Sequence, residues 1–443
     1  MNVKPAKQLG LPLTFKGDTF APGSVSERPG GEEQLMERVV ERQNLRAALK
    51  RVESNKGSAG ADGMTVQALR PYLKKRWLSI KEELLAGRYQ PQPVKRVEIP
   101  KPGGGKRKLG IPTVLDRFIQ QALLQVLQAQ WDVSFSDASY GFRPGRSAHQ
   151  AVLRAQGHLK AGHRWVVDID LEKFFDRVNH DKLMSEVRKR VSDWRVLRLI
   201  RRYLQAGALE NDSLSETTEG TPQGGPLSPL LANLLLDGLD RELEKRGHRF
   251  VRYADDCNIY VRSRRAGERV LGSITVFLAS RLKLTVNESK SGVDRPWKRS
   301  FLGFTFSWKL NRRVSAKALR ACKRRVREIA RRTRGRRIEH IVSELNRFLL
   351  GWKAYYGFAE VRSIFKELDS WIRRRLRCYM WKQWGRRGYR ELRKRGVSRD
   401  LAWNTAKSAH GPWRLSRSPA LAFALTARYF TSLGLPRLFT KPT

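Results

Sequence analysis

Two adjacent aspartates, Asp255 and Asp256, interrupt an apolar part of the chain. The flanking segments 250–253 and 258–261 predict a β-hairpin whose tip carries both carboxylates. Two like charges at this distance are costly unless a cation sits between them. An isolated Asp-Asp pair more often marks a solvated turn, but apolar residues on both sides are unusual for such a turn. The pattern therefore favours a cation site, and magnesium is the simplest candidate.

A third acid comes at the end of a short β-branched segment. Residues 164–170 (RWVVDID) have the pattern of a buried strand, and Asp170 is the last of them. If this strand lies beside the hairpin, Asp170 completes an oxygen-rich site, as expected for Mg²⁺ bound by a few carboxylates and substrate phosphates. Two such ions can activate a primer 3′-hydroxyl and stabilise the departing pyrophosphate.

Positive charge limits the partners of this protein. It carries 89 Lys and Arg residues against 42 Asp and Glu residues, a net charge of +47. Such an excess repels itself unless a polyanion shares the surface, so nucleic acid is the leading partner and an anionic membrane surface the second. No apolar run approaches the ~20 residues that span a bilayer, and no signal peptide is recognisable, so we expect a cytoplasmic protein without a membrane partner. The three separated cysteines predict neither disulfides nor a zinc site.

The composition divides the chain into regions. Residues 1–33 are rich in proline and glycine and are predicted to be a flexible leader. Mixed α and β patterns fill the chain up to about residue 305. The arginine-rich segment 312–337 then predicts an amphipathic helix whose polar face is cationic. Two further helical patterns complete a three-helix module. Such a charge run is commonly a solvated helix face, but its density and one-sidedness favour nucleic acid.

Local patterns predict several further elements. Ser228, followed by Pro229, is expected to be the N-cap of a leucine-rich helix. The remaining predictions are a loop at 55–63, a strand at 94–99, a basic glycine-rich turn at 100–110 and a helix at 117–130.

The tetrapeptide 253–256 (YADD) resembles the YADD box of reverse transcriptases, in particular those encoded by bacterial group II introns. Six further blocks occur in the order of that family. They are IPKPGGGKRKLGIPTVLDR from Ile99, SYGFRPGRSAHQAV from Ser139, VVDIDLEKFFDRVNHD from Val166, GTPQGGPLSPLLANLLL from Gly220, LKLTVNESKS from Leu282 and FLGFTF from Phe301. The resemblance covers nearly everything after residue 34 and is strongest to the compact class C members.

The resemblance implies an α+β right-hand polymerase fold with an all-helical thumb and a small basic C-terminal domain. Residues 34–165 then correspond to the fingers with an N-terminal extension, and residues 166–311 to the palm with the catalytic site. Residues 312–385 correspond to the thumb, also called the maturase or X domain, and 386–443 to a C-terminal DNA-binding domain. The absence of clustered Cys and His near the C-terminus resembles members that lack the endonuclease domain.

The resemblance also assigns roles to individual residues. Asp170, Asp255 and Asp256 correspond to the catalytic triad that binds two Mg²⁺ ions. Phe175 resembles the steric gate that disfavours a 2′-hydroxyl on the incoming nucleotide, whereas Phe174 fits a core aromatic better. The other positions implied are Lys101, Arg107, Gln223 and Lys290 for the dNTP, and Gly224, Asn55, Arg324 and Arg325 for template and primer.

The activity implied is RNA-directed DNA polymerisation by the protein of a mobile group II intron. Such a protein copies an RNA template from a DNA or RNA primer with dNTPs, binds its intron RNA to promote splicing, and supports retrohoming at target DNA by target-primed reverse transcription. Two other interpretations stay open: a splicing maturase without polymerase activity, and an intron-independent reverse transcriptase in repair or defence. The three intact acids favour the polymerase. Tyr253 and Ala254, the first two residues of the YADD motif, favour a reverse transcriptase of the intron-encoded type. The oligomeric state is left open.

Overall fold

The computed structural model describes residues 34–100, 105–210 and 213–440. The predicted leader at 1–33 and the predicted dNTP ligand Lys101 lie outside these residues. The chain forms two compact units, one extending to Arg295 and the other beginning at Pro296. The assignment of fingers, palm, thumb and C-terminal domain to residue ranges stays a prediction. In the described part of the chain, no helix is both long and apolar enough to cross a bilayer.

The first unit combines helices with two four-stranded sheets. Its helices are α1 (Leu35–Val39), α2 (Arg42–Asn55), α3 (Val66–Leu85), α4 (Val114–Trp131), α5 (Ala148–Lys160), α6 (His180–Arg188), α7 (Trp194–Gln205), α8 (Ser228–Lys245) and α9 (Arg264–Phe277). Its strands are β1 (Val94–Pro100), β2 (Lys106–Ile111), β3 (Trp165–Ile169), β4 (Ala208–Glu210), β5 (Ser213–Ser215), β6 (Arg249–Tyr253), β7 (Asp256–Val261) and β8 (Gly292–Asp294).

The two sheets differ in strand order. One has the order β2-β1-β4-β5, and the other has the order β6-β7-β3-β8. In the second sheet β3 is antiparallel to both β7 and β8, and β6 and β7 form the predicted hairpin. Leucines recur at helical spacing along α8, and Leu230, Leu231, Leu234 and Leu235 are all buried. These apolar residues belong to the core cluster that also contains Val167 and Ile169 of β3.

The second unit is mainly helical. Its elements are β9 (Phe304–Phe306), β10 (Arg312–Val314), α10 (Ala316–Ile329), α11 (Ile338–Tyr356), α12 (Ser363–Trp384), α13 (Gly388–Lys394), α14 (Arg399–Lys407), α15 (Pro412–Leu415), α16 (Pro419–Ala424) and α17 (Ala427–Ser432). The cationic helix predicted from residue 312 begins only at Ala316, because β10 pairs with β9 and the Ser315 hydroxyl then caps the helix. Cys322, Val326 and Ile329 are buried on its apolar face, as the pattern predicts.

The local predictions in the first unit have mixed outcomes. The strand at 94–99 and the helix at 117–130 are confirmed by β1 and α4. The basic turn predicted at 100–110 is too long, since Lys106–Ile111 forms β2 and pairs with β1. Ser228 is not an N-cap: α8 begins at this residue, and its hydroxyl donates to the carbonyl oxygen of Pro222 at 2.8 Å.

Candidate active site

The β6–β7 hairpin carries the two adjacent acids. Its last paired residues are Tyr253 and Asp256, so the connecting turn contains only Ala254 and Asp255. The predicted tip, which included Asp256, is therefore too long, because Asp256 is already the first residue of β7. Asp255 is half-buried and Asp256 is exposed. The turn places two carboxylates next to each other with different access to solvent.

Asp170 follows β3 directly and lies at the same end of the sheet. Ile169 pairs with Cys257, and continuing this register by one residue brings Asp170 opposite Asp256. Burial raises the pKa of Asp255 above its ordinary value, and the like charge of Asp170 raises it further, while Arg107 opposes the rise. The structure thus brings Asp170 to the hairpin that carries Asp255 and Asp256, the arrangement that the sequence predicts.

The acids do not form a closed metal cage. Within residues 34–100, 105–210 and 213–440, no three Asp, Glu, His or Cys side chains are grouped closely enough to hold an ion. Lys290 Nζ lies 3.2 Å from Asp170 Oδ1, so an ammonium group neutralises this carboxylate. The Lys290 side chain is 64% exposed, and an ion pair of this kind is weak enough to be exchanged for another cation.

The turn that precedes β8 holds the end of β3. The Asn287 backbone N–H donates to the carbonyl oxygen of Asp170 at 2.8 Å. The Asp170 backbone N–H donates in turn to the Ser291 hydroxyl at 2.9 Å. Both backbone groups of Asp170 are therefore bonded to the segment 287–291, which holds the backbone from which its carboxylate projects.

Arg252 is a support of the hairpin that sequence reasoning missed. Its side chain is fully buried, and its Nε lies 2.7 Å from Asp240 Oδ1 on α8. It also donates to Asn233 Oδ1 and to the carbonyl oxygen of Ala254, both at 3.0 Å. The available signal was an arginine in the middle of an apolar strand, where a charge is tolerated only when it is paired.

Gly141 is the second support that sequence reasoning missed. A Cβ at this position would lie 2.3 Å from the Ala254 backbone nitrogen, so a side chain has no space here. The Asn233 amide donates to the Gly141 carbonyl oxygen at 2.8 Å, which links this contact to Arg252. Ala254 has a φ of +56°, a conformation that L-residues rarely adopt. Backbone packing from Gly141 and hydrogen bonding from Arg252 therefore act on the same strained turn.

Phe175 lies close to the loop that contains Gln223. The backbone N–H of Thr221 donates to the Phe175 carbonyl oxygen at 2.7 Å. The Phe175 ring is half-buried, whereas Phe174 is only 3% exposed, and the two rings meet edge to face at 5.2 Å. Phe175, predicted to contact the sugar of the nucleotide, therefore has the more accessible ring. Phe174, predicted to be a core aromatic, is buried.

Gln223 and Gly224 pack against β2, the strand that carries Arg107. The Gly110 backbone N–H donates to the Gln223 carbonyl oxygen at 3.1 Å. A Cβ on Gly224 would lie 2.6 Å from the Gly110 carbonyl oxygen, so this approach requires glycine. The positive charge of Arg107 also lowers the pKa of Asp255, so the strand that packs on this loop acts electrostatically on one of the acids.

The predicted template and primer residues lie elsewhere. Asn55 is the exposed last residue of α2, so the loop predicted at 55–63 begins one residue later than predicted. Arg324 and Arg325 lie on α10 in the second unit. Arg325 makes ion pairs with Glu328 at 3.0 Å and with Glu344 at 4.0 Å. The roles of these residues stay predictions.

Two known protein families match separate parts of this chain. Residues 99–306 match the family of reverse transcriptases (RNA-dependent DNA polymerases), and residues 319–396 match the group II intron maturase-specific domain. The chain carries a reverse transcriptase domain followed by a group II intron maturase domain. The predicted α+β right-hand polymerase fold and the predicted reverse transcriptase–maturase resemblance are confirmed by these matches.

The reverse transcriptase–maturase chain is similar to several known proteins. Protein YkfC of Escherichia coli (strain K12) is 38% identical over 220 residues, which are 48% of this chain and 58% of YkfC. Group II intron-encoded protein LtrA of Lactococcus lactis subsp. cremoris is 39% identical over 195 residues, 44% of this chain and 32% of LtrA. A solved chain of a partial Cas6-RT-Cas1–Cas2 complex is 26% identical, with a TM-score of 0.36, covering 56% of this chain and 42% of that one. The chain thus spans less than two thirds of either curated relative.

Proposed function

We propose that this protein is an RNA-directed DNA polymerase, a nucleotidyltransferase that extends a DNA or RNA primer on an RNA template. The observation that carries the proposal is the register of β3 and β7, which brings Asp170 opposite Asp256 and beside the turn residue Asp255. These acids lie within the segment that matches reverse transcriptases. A match to this family implies dependence on a divalent metal.

The donor set fits Mg²⁺. Asp170, Asp255 and Asp256 offer only carboxylate oxygens, the ligands that this hard cation prefers. Burial is the main cause of the raised pKa of Asp255, the like charge of Asp170 adds to it, and a nearby divalent cation would favour the ionised carboxylate. We propose that the three acids hold two ions, which activate the primer 3′-hydroxyl and neutralise the departing pyrophosphate. Lys290, which pairs with Asp170, would supply a positive charge that could also contact the phosphate groups.

The remaining site residues are proposed to hold the dNTP. Arg107 and Lys101 provide positive charge for the triphosphate, and a guanidinium can bind phosphate oxygens in pairs. Gln223 offers an amide to the nucleotide, and Gly224 would permit close approach of the backbone to the template. Phe175 presents an accessible ring where the sugar of the nucleotide would lie.

Changing Phe175 to Val should admit ribonucleotides. Removing the ring opens space for a 2′-hydroxyl, so we expect incorporation of a ribonucleotide, relative to its deoxynucleotide, to rise roughly 10-fold or more, the usual scale of a steric discrimination. Single-nucleotide incorporation with dATP and ATP measures the ratio. The matched control is Phe174→Val, which should lower stability by removing core packing and leave the ratio unchanged. An unchanged ratio in the Phe175 variant would assign the gate to a different aromatic.

We further propose that the protein is encoded by a mobile group II intron and promotes splicing of that intron RNA. The match of residues 319–396 to the maturase-specific domain supports this role. Retrohoming by target-primed reverse transcription would add target DNA as a partner, bound by residues 386–443. The proposed location is the bacterial cytoplasm, in a ribonucleoprotein associated with the nucleoid. In vitro splicing of the parent intron, with and without the protein, tests this role, and equal splicing rates would favour an intron-independent reverse transcriptase.

RNA binding should depend steeply on salt. The net charge of +47 predicts that phosphate contacts dominate the affinity. If six to ten phosphates are engaged, the affinity should fall by about 10³ to 10⁵ between ~50 and ~200 mM salt. Filter binding of an intron RNA over this range measures the slope. An affinity that barely changes would contradict the electrostatic basis of the proposed RNA interface.

The polymerase proposal has a direct test. Purified protein, an oligo(dT) primer annealed to poly(rA), and dTTP should give extension with Mg²⁺ and none after chelation with EDTA. A folded protein that binds RNA but extends no primer would instead favour the maturase without polymerase activity.

A further inference from the structure

A cationic groove lies between α6 and α7 in the first unit. The sequence of α7, WRVLRLIRRYLQ, buries Val196, Leu199 and Ile200 on one face. Its other face carries Arg198, Arg201 and Gln205. Together with α6 these residues line an open surface cavity of about 430 Å³. We define this cavity as the α6–α7 groove. Its lining consists of Met184, Arg188, Trp194, Leu197, Arg198, Arg201, Arg202 and Gln205.

The groove has more positive charge than its surroundings neutralise. Four of its eight lining residues are arginines and none is acidic. Asp181 pairs with Arg201 at 2.6 Å and also feels the charge of Arg188, but Arg188 and Arg198 are exposed and make no salt bridge or hydrogen bond with the described residues. Burial lowers the pKa of Arg202, and the neighbouring charge of Arg198 lowers it further. An anion in the groove would remove this repulsion between like charges.

Two of the lining side chains are held in position. Arg202 donates to the carbonyl oxygens of Gly87 and Tyr89, at 3.0 and 2.6 Å. The Trp194 ring packs so closely on Gly87 that a Cβ there would lie 2.7 Å from it, yet 56% of the residue is exposed. A rigid, exposed indole beside guanidinium groups offers a stacking surface for an unpaired base. These features match the chemistry of a nucleic-acid strand better than that of a small anion.

The groove is separate from the predicted polymerase site. None of its lining residues is among the acids or the nucleotide residues described above. α7 packs on α6 and α1, and α6 packs on α8, whereas the acids lie at the ends of β3, β6 and β7. At about 1.5 Å per residue, the twelve residues of α7 extend for about 18 Å, which several successive phosphates of one strand can follow.

We propose that the α6–α7 groove is a second nucleic-acid site, which binds the backbone of a structured RNA and stacks one unpaired base on Trp194. This inference rests on the proposed function in its RNA-binding part. The groove would bind RNA at a place other than the site formed by Asp170, Asp255 and Asp256. It therefore allows the protein to hold a folded RNA and a primer–template duplex at the same time.

The test compares two variants that remove the same charge. The double variant Arg188→Ala, Arg198→Ala removes the two lining arginines that make no salt bridge or hydrogen bond with the described residues. Arg265→Ala with Arg269→Ala, two exposed arginines of α9 in the same unit, is the matched control. The probe is a blunt RNA hairpin with an eight-nucleotide loop, which offers no recessed 3′-end for extension. Fluorescence anisotropy from 50 to 300 mM KCl measures affinity and salt slope, and extension on poly(rA)/oligo(dT) is measured in parallel.

The groove variant should bind the hairpin about 10-fold more weakly, and its salt slope should fall by about 1.5, since each phosphate contributes about 0.7 to 0.9. The control should lose less than 3-fold, and both variants should extend the primer as the unmodified protein does. Trp194→Ala should weaken binding of the looped hairpin but not of a fully paired RNA duplex. Equal losses of hairpin affinity in the two double variants, or no loss in either, would contradict the proposed RNA site in the groove. The polymerase proposal would be unaffected. Failure of the unmodified protein to extend the primer would instead count against the polymerase proposal alone.

Discussion

Primer extension should be abolished when Asp255 is changed to Asn. The substitution keeps the shape of the side chain but removes the charge next to Asp170, so the proposed ions lose a ligand at the reacting centre. Loss of one electrostatic element of this kind costs about 10² to 10³ in rate, and the loss of a metal site should reach at least that range. Single-turnover extension of oligo(dT) on poly(rA) measures the effect.

The fold should survive this change. The pKa of Asp255 is raised in the folded protein, so its ionised form is less favourable there than in the unfolded chain at neutral pH. Asparagine removes that penalty, and the melting temperature should therefore stay the same or rise. Asp400→Asn, at the exposed start of α14, is the matched control and should leave extension unchanged. Extension by the Asp255 variant within 10-fold of the unmodified protein would rule out the proposed site.

Arg252→Met should be the most destabilising single change in the hairpin. It leaves the Asp240 carboxylate fully buried without its partner, and breaking a buried pair in this way costs about 3 to 5 kcal/mol. Urea unfolding measures the loss. The double variant Arg252→Met, Asp240→Leu removes both charges and should recover much of the stability.

The same pair of variants separates stability from catalysis. In the double variant the carbonyl oxygen of Ala254 still lacks its donor, so the turn that carries Asp255 remains less constrained. We expect kcat for extension to stay low even where the stability has returned, while RNA affinity is normal. A single variant within about 1 kcal/mol of the unmodified protein would contradict the role of Arg252, because a buried unpaired carboxylate costs more than that.

The acids could be predicted from the sequence because their signal is local. A charge pair between two apolar segments, and a third acid after a buried strand, are recognisable without knowledge of tertiary structure. The contact between Gly141 and Ala254 has no such signal, since the two residues are far apart in the chain and glycine is common in loops. Arg252 had a weak signal, but its partner Asp240 lies on a helix whose pattern gives no hint of pairing.

The errors in the fold prediction have a common physical cause. At 312–314 the high arginine content favoured helix, but pairing with β9 makes these residues a strand. At 106–110 glycine and lysine favoured a turn, but pairing with β1 extends the strand. Serine is typical of N-caps, but the hydroxyl of Ser228 donates to the carbonyl oxygen of Pro222 instead. In each case a contact with another segment outweighed the local preference.

The strained turn at Ala254 has a consequence for shortened forms of the protein. An L-residue remains in the left-handed region only where its neighbours leave no alternative, and here one of those neighbours is Gly141. A truncated chain that started after Gly141 would still contain Asp170, Asp255 and Asp256. It would nevertheless lack the Gly141 backbone on which the turn packs. A fragment that retains all three acids is therefore not expected to hold them in the geometry needed for primer extension.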